Sequence, residues 1–258
     1  MIGRVLLTGA AGAIGTALRV PLRAAAREVV LSDIAPVTAE ADNEIVRPAD
    51  LADFDAVLAA AEGAEAIVHL GGISVEAPFE ELAGPNLFGA YHVFEAARQA
   101  GVQRVVFASS NHATGFYPSG QRLVGSEPVR PDSLYGVTKA YGEALGRMYH
   151  DKFGLRVACL RIGSFRERPR NARMLSTWLS PADGARLVLA CLTSPELRFS
   201  IVYGVSANQR SWWAAAPGRR LGYEPQDDAE AFAAEVTGTV DGRQGAEFAT
   251  RERHPAGS

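Results

Sequence analysis

The 258-residue sequence is poor in cysteine, in net charge and in long apolar runs, and each shortage excludes a class of protein. Only Cys159 and Cys191 are present, inside the apolar stretches Val157 to Leu160 and Leu187 to Leu192. They read as reduced core thiols, not as a disulfide framework or a thiolate metal site. The five histidines, His69, His92, His112, His150 and His254, show no ligand spacing such as HxxxH, so no metal is expected. With 26 basic against 29 acidic residues and a net charge of −3, the chain lacks the basic field that nucleic acid or an anionic membrane demands. A small-molecule partner is expected instead. No apolar run reaches the ~20 residues that span a bilayer. Met1-Ile2-Gly3-Arg4 leads straight into a strand and a glycine loop, with no room for a signal peptide, so the expected location is cytoplasmic.

What is present is an alternation of short β-type runs with longer helical patterns over the first two thirds of the chain. Strands are predicted at Val5 to Thr8, Val29 to Ser32, Ile45-Val46, Ala66 to Leu70, Val105 to Ala108 and Arg156 to Ile162. Helices are predicted at Ile14 to Ala26, Phe54 to Glu62, Asn86 to Ala100 and Leu134 to Phe153. This pattern predicts an α/β fold, a doubly wound, Rossmann-type parallel sheet of six strands buried on both faces. The boundary falls after Ile162: residues 1–162 form the nucleotide-binding domain, and residues 163–258 a small substrate lobe and tail interleaved with it. That second part opens on a loop rich in arginine, with Arg166, Arg168, Arg170 and Arg173. In Ser180-Pro181-Ala182-Asp183, a serine cap, a first-turn proline and an acid complementing the dipole predict a helix through Leu192. Phe199 to Tyr203 is a last strand candidate, Trp212 and Trp213 read as packing residues of the lobe, and the polar segment Arg251 to Ser258 reads as loose.

Thr8-Gly9-Ala10-Ala11-Gly12-Ala13-Ile14-Gly15 sets three glycines between a strand and a helix. The first permits the tight turn, the second lets backbone approach a pyrophosphate, and the third brings helix against strand, with helix N–H groups aimed at phosphate. Asp33, at the end of the second strand, suits the hydroxyls of an adenosine ribose and repels a 2′-phosphate. No arginine follows before Arg47, which favours NAD over NADP. Asp50-Leu51 could meet the adenine, although Asp50 could equally cap the helix beginning near Phe54. Leu70-Gly71-Gly72 permits close backbone passage, and Ile162 ends the strand that completes the expected cofactor set with Tyr135 and Lys139.

Tyr135 and Lys139 form a YxxxK pair on one face of a helix. A tyrosine titrates near pH ~10 unperturbed, and a neighbouring ammonium with a positive nicotinamide ring would lower that value, making phenolate available as a base. Ser109-Ser110-Asn111-His112 lies at the carboxyl edge of the sheet, where such folds place ligands. Ser110 is the candidate for holding the reacting oxygen, while Ser109 reads as a strand-end hydroxyl bonded to backbone. Asn111 and His112 could be strand-end caps or donors to a ligand, and Arg173 reads as either a solvated charge or the partner of a carboxylate.

In this order the glycine loop, Asp33, the serine and YxxxK resemble the extended short-chain dehydrogenase/reductase superfamily over residues 3 to 205. More narrowly, Leu70-Gly71-Gly72-Ile73-Ser74-Val75-Glu76, Ala108-Ser109-Ser110-Asn111-His112, Leu134-Tyr135-Gly136-Val137, Arg161-Ile162-Gly163-Ser164 and Arg173-Met174-Leu175-Ser176-Thr177-Trp178 resemble the uronate dehydrogenases. The resemblance implies NAD-dependent oxidation of D-glucuronate or D-galacturonate at C1 to an aldarolactone. Tyr135 would be the base, and Ser74, Ser110, Asn111, His112, Ser164 and Arg173 would contact the sugar acid. It also implies a homo-oligomer, by analogy alone. Two other readings compete with this one. A nucleotide-sugar epimerase or dehydratase with tightly held NAD usually needs a larger C-terminal lobe than the chain after Ile162 provides, and a catalytically silent NAD-binding regulator should lack YxxxK.

Overall fold

The structure is a computed structural model and describes residues 1–240 and 242–250. The chain runs β1 (Ile2–Thr8), α1 (Ala13–Ala25), β2 (Ala26–Ser32), β3 (Glu44–Val46), α2 (Phe54–Ala61), β4 (Ala66–His69), α3 (Phe79–Leu82), a π segment (Ala83–Phe88), α4 (Gly89–Gln99) and β5 (Arg104–Ser110). It continues through α5 (Leu134–Phe153), β6 (Arg156–Ile162), β7 (Ser164–Phe165), α6 (Met174–Thr177), β8 (Trp178–Leu179), α7 (Pro181–Thr193), β9 (Phe199–Gly204) and α8 (Ala216–Arg220). The main sheet has the order β3-β2-β1-β4-β5-β6-β9, and every neighbouring pair is parallel.

Parallel strands covered on both faces need apolar residues of both parities. On one face, Val5, Leu7, Val29 and Leu160 pack under α1 and α7. On the other, Leu6, Val30, Ile67 and Val157 pack under α2, α4 and α5. Cys191 belongs to the first layer and Cys159 to the second, so the sheet separates the two thiols. Among the described residues no helix is long and apolar enough to cross a membrane.

Helix ends with strong side-chain signals match the sequence expectation. The Ser133 hydroxyl accepts from Gly136 N–H (3.0 Å) at the start of α5, and Gly154, at φ 73°, closes its other end. The Ser180 hydroxyl accepts from Asp183 N–H (2.9 Å), with Pro181 in the first turn of α7.

Four expectations need correction. The sheet has seven strands instead of six, because β9 returns from the C-terminal part and pairs with β6, Cys159 opposite Ile201 and Leu160 opposite Val202. The helix expected from Asn86 begins at Phe79 and passes Pro85 within the π segment, whose altered backbone pairing accommodates the missing N–H. Asp53 caps α2 through Ala56 N–H (3.1 Å), whereas Asp50 accepts from Ala52 N–H (2.9 Å). Ser109 donates to the Glu143 carboxylate (2.6 Å), not to backbone. Trp212 and Trp213 lie in a small cluster with Tyr117, Leu123 and Tyr203, and Trp213 stacks on Tyr203 at 4.8 Å between centroids. The expectation for Arg251 to Ser258 falls outside the described residues.

Candidate active site

The strand order reverses at β1, which has β2 on one side and β4 on the other, and ligands of doubly wound sheets bind outside the carboxyl ends at such a point. A cavity of about 1070 Å³ opens there, and every residue singled out above for cofactor, substrate or chemistry lines it.

At one end lies the glycine loop. Gly9 takes φ 73°, and a Cβ on it would stand 2.7 Å from Gly71 N, because the turns after β1 and β4 touch. A Cβ on Gly15 would stand 2.2 Å from the Gly9 carbonyl oxygen. The N-cap of α1 is Gly12, with no capping side chain and no acidic residue in the first turn. Helices α2, α5 and α7 are instead capped by Asp53, Ser133 and Ser180. The orphan N–H groups of α1 therefore face the cavity in the way a pyrophosphate requires. Asp33 Oδ2 accepts from Ala11 N–H (2.9 Å) and Oδ1 from Ala35 N–H (3.0 Å), which holds the carboxylate at the rim. Arg47 is turned away and donates to the Ala59 carbonyl (2.8 Å), so no guanidinium from it awaits a 2′-phosphate. These donors and spacings fit NAD.

Helix α5 brings Tyr135 and Lys139 to the middle of the cavity, both almost fully buried. Its first turn is held by Glu76, whose carboxylate accepts from Leu134 N–H (3.0 Å) and Tyr135 N–H (2.8 Å). Burial pushes the Tyr135 phenol up to about 12, a hydrogen bond with Ser110 opposes this, and Asp132 adds to it. Among the protein's own groups desolvation prevails, since it penalises the phenolate; the lowering expected from the sequence counted on a positive nicotinamide ring as well. Desolvation also brings the Lys139 ammonium down to about 8; Nζ lies 5.6 Å from the centre of the Tyr135 ring and 5.3 Å from that of Phe107. Below them His69, whose Nδ1 bonds the Thr8 hydroxyl (2.8 Å), is pushed down to about 3 by burial and by the Lys139 charge, and so is neutral.

At the other end, β7 and β8 form a two-stranded parallel ribbon that carries Ser164 and leads into α6, at whose start Arg173 stands. The Arg173 guanidinium donates to the Gln244 carbonyl through Nε (2.7 Å) and approaches the Ser164 hydroxyl through Nη1 (3.4 Å). With the Asn111 amide oriented so that both ends are satisfied, its nitrogen donates to the Ile162 carbonyl (3.1 Å) and its oxygen accepts from Arg173 Nη2 (3.0 Å). Burial lowers the Arg173 pKa, against the nearby charges of Glu247 and Asp132. His112 Nδ1 pairs with Asp132 Oδ2 (2.8 Å), and Phe248 lies over the imidazole at 4.1 Å between centroids.

Several residues of this site were missed in the sequence. Asn86 grips the backbone of Ile73 with both amide atoms (2.8 and 2.9 Å) and donates to Thr138 (3.1 Å), tying the loop of Ser74 to α5. Glu247 and Phe248 reach the cavity from the C-terminal segment, with no local signal to announce them. Glu143 and Arg161 form a buried two-point pair (2.9 and 2.8 Å) behind Ser109. That pair had a signal, namely an arginine directly after the apolar run Val157 to Leu160 of β6.

A dinucleotide cradle that runs into a buried tyrosine, lysine and serine defines the class, an NAD-dependent dehydrogenase of the short-chain type. The family model described as the NAD dependent epimerase/dehydratase family matches residues 5–195. The chain is 48% identical over 234 residues to a uronate dehydrogenase of Pseudomonas syringae pv. tomato, covering 90% of this chain and 85% of that one. A crystal structure of a glucuronic acid dehydrogenase from Chromohalobacter salexigens superposes with a TM-score of 0.96 at 42% identity over 100% of both chains. A mutant uronate dehydrogenase from Agrobacterium tumefaciens, complexed with NAD, superposes with a TM-score of 0.92 at 45% identity over 96% of this chain and 97% of that one. The chain belongs to the NAD dependent epimerase/dehydratase family and, within it, to the uronate dehydrogenases.

Proposed function

We propose that the protein oxidises a hexuronate, D-glucuronate or D-galacturonate, at C1 to the aldarolactone. The observation that carries this reading is that one cavity joins the dinucleotide cradle, the Tyr135–Ser110 pair and the half-buried Arg173 guanidinium. NAD, when bound, supplies the acceptor for the hydride leaving C1 and a positive charge beside the phenol. The α1 N-terminus with Gly9, Gly12, Ala13, Ile14 and Gly15 would hold its pyrophosphate, and Asp33 the adenosine ribose. Asp50 and Leu51 would meet the adenine, while Leu70, Gly71, Gly72, Ile162 and Lys139 would line its remaining length.

Tyr135 Oη takes the proton of the C1 hydroxyl as the C1–H bond breaks, and the Ser110 hydroxyl holds that oxygen in line. Oxidation of a cyclic hemiacetal carbon leaves a carbonyl within the ring, which is a lactone. Arg173 grips the substrate carboxylate through its two terminal nitrogens, a planar fork matched to a planar anion. His112, bonded through Nδ1 to Asp132, turns its other nitrogen to a sugar hydroxyl, with Ser74, Asn111 and Ser164 as further contacts. The chain after Ile162 would contribute Ser164 and Arg173 to the substrate side, and the chain before it Ser74, Ser110, Asn111 and His112.

Incubation with NAD and each uronate, followed by NADH absorbance, tests the reading; no turnover of any uronate would overturn it. Arg173→Ala is expected to raise KM for the uronate by about 10²-fold, since a desolvated carboxylate would lose its charged partner. An unchanged KM would remove Arg173 from that role. For the cofactor, Asp33→Asn is expected to raise KM for NAD by about tenfold and to narrow the preference over NADP, because a charge-assisted ribose contact and the repulsion of a 2′-phosphate are both lost. Cofactor competition kinetics would show it, and an unchanged NAD/NADP ratio would count against the assignment.

A further inference from the structure

Arg173 is aimed by a part of the chain far from it in sequence. Residues 242–250 fold back along the loop after β5: Ser119 N–H donates to Gly242 O, Gln244 N–H to Tyr117 O and Gly245 N–H to Gly115 O, each at 2.9 Å. In the middle of this hook Gln244 is fully buried, although it is a polar residue. Its side chain is satisfied on every side. Oε1 accepts from Trp213 Nε1 (2.8 Å), and Nε2 donates to the carbonyls of Gln121 (2.8 Å) and Pro118 (3.2 Å). Its backbone carbonyl is the acceptor for Arg173 Nε at 2.7 Å.

We propose that Gln244 is the positioning residue of the substrate-carboxylate site: it anchors the C-terminal hook so that its own carbonyl fixes the plane and the reach of the Arg173 guanidinium. A guanidinium carries five N–H groups in a rigid fork. With Nε held by Gln244 and the terminal nitrogens flanked by Ser164 and Asn111, the group has one orientation, and the two terminal nitrogens present an edge to a planar carboxylate. Without the anchor, a half-buried arginine side chain regains rotamers, and geometric precision is what a bidentate contact depends on. Gln244 touches neither substrate nor reacting atoms, so its effect should appear in binding of the acid and not in the chemical step.

This inference rests on the reading of Arg173 given above, and a double-mutant cycle separates the two. Gln244→Ala is expected to raise KM for glucuronate about tenfold, with kcat and KM for NAD within about twofold of the parent. In an Arg173→Ala background the same substitution should change KM for glucuronate by less than about twofold, since it acts only through that arginine. Trp213→Phe, which keeps the ring stacked on Tyr203 and removes one hydrogen bond to Gln244, should shift KM in the same direction by a smaller factor, and it decides the matter if Gln244→Ala does not fold. An unchanged KM in both variants, an equal loss in kcat and in NAD binding, or a full effect of Gln244→Ala without Arg173 would each overturn the proposal. A normal KM in Arg173→Ala alone would instead overturn the underlying assignment of the carboxylate.

Discussion

Tyr135→Phe is expected to lower kcat for uronate oxidation by about 10²–10⁴-fold while leaving NAD binding nearly intact. The substitution removes one oxygen from a buried ring and nothing from the packing of α5, whose first turn is held by Glu76 and Ser133. What it removes is the group proposed above to receive the hydroxyl proton. The protein's own environment keeps that group a phenol, because burial outweighs the Ser110 hydrogen bond and raises its pKa to about 12. Lys139, with a pKa brought to about 8, stands beside the ring, its Nζ 5.6 Å from the centroid. Of the imidazoles nearby, His69 is bonded to Thr8 and pushed down to about 3, which makes it a poor substitute, while His112 lies 5.8 Å from the Tyr135 ring between centroids with Nδ1 engaged by Asp132. Steady-state kinetics with NAD titrated by fluorescence would check the split. Residual turnover within tenfold of the parent would mean that another group takes the proton.

The second large effect is on stability. Glu143→Gln should cost about 3–5 kcal/mol of folding free energy, because it leaves the buried Arg161 guanidinium without its counter-charge. Burial opposes the arginine's charge, yet Glu143 more than compensates, so the Arg161 pKa is raised above its ordinary value. Arg161 also donates to the Tyr203 hydroxyl (3.2 Å), which meets the Thr114 hydroxyl (3.0 Å), and Ser109 shares the same carboxylate. The pair therefore ties α5 to β5, β6 and β9 directly behind the catalytic edge. Replacing both partners, as in Glu143→Leu with Arg161→Met, should cost clearly less than the single change, since no uncompensated charge remains. Denaturant midpoints for the two variants would test this; a single substitution no worse than the double one would contradict it.

The parts of the site that could be read in advance are those whose chemistry is written in neighbouring residues. The glycine loop needs three glycines within one turn, Tyr135 and Lys139 need one helical spacing, and α7 carries its own serine cap. Asp33 was recognisable from its distance to the loop. Arg173 was legible only through family resemblance, because an arginine in a loop of arginines has no local signature of burial. Asn86 and Glu76 act on backbone brought near by the fold, so nothing beside them in the chain marks their role.

By itself the sequence determined the doubly wound parallel sheet, the NAD cradle and the tyrosine–lysine–serine edge, since hydrophobic period, turn chemistry and capping operate over a few residues. Only the tertiary structure decided that β9 closes the sheet beside β6, that Glu143 meets Arg161, and that the 242–250 hook brings Gln244 to Arg173, 71 positions away, and Phe248 to His112. Those contacts join residues far apart in the chain, and packing geometry alone selects them.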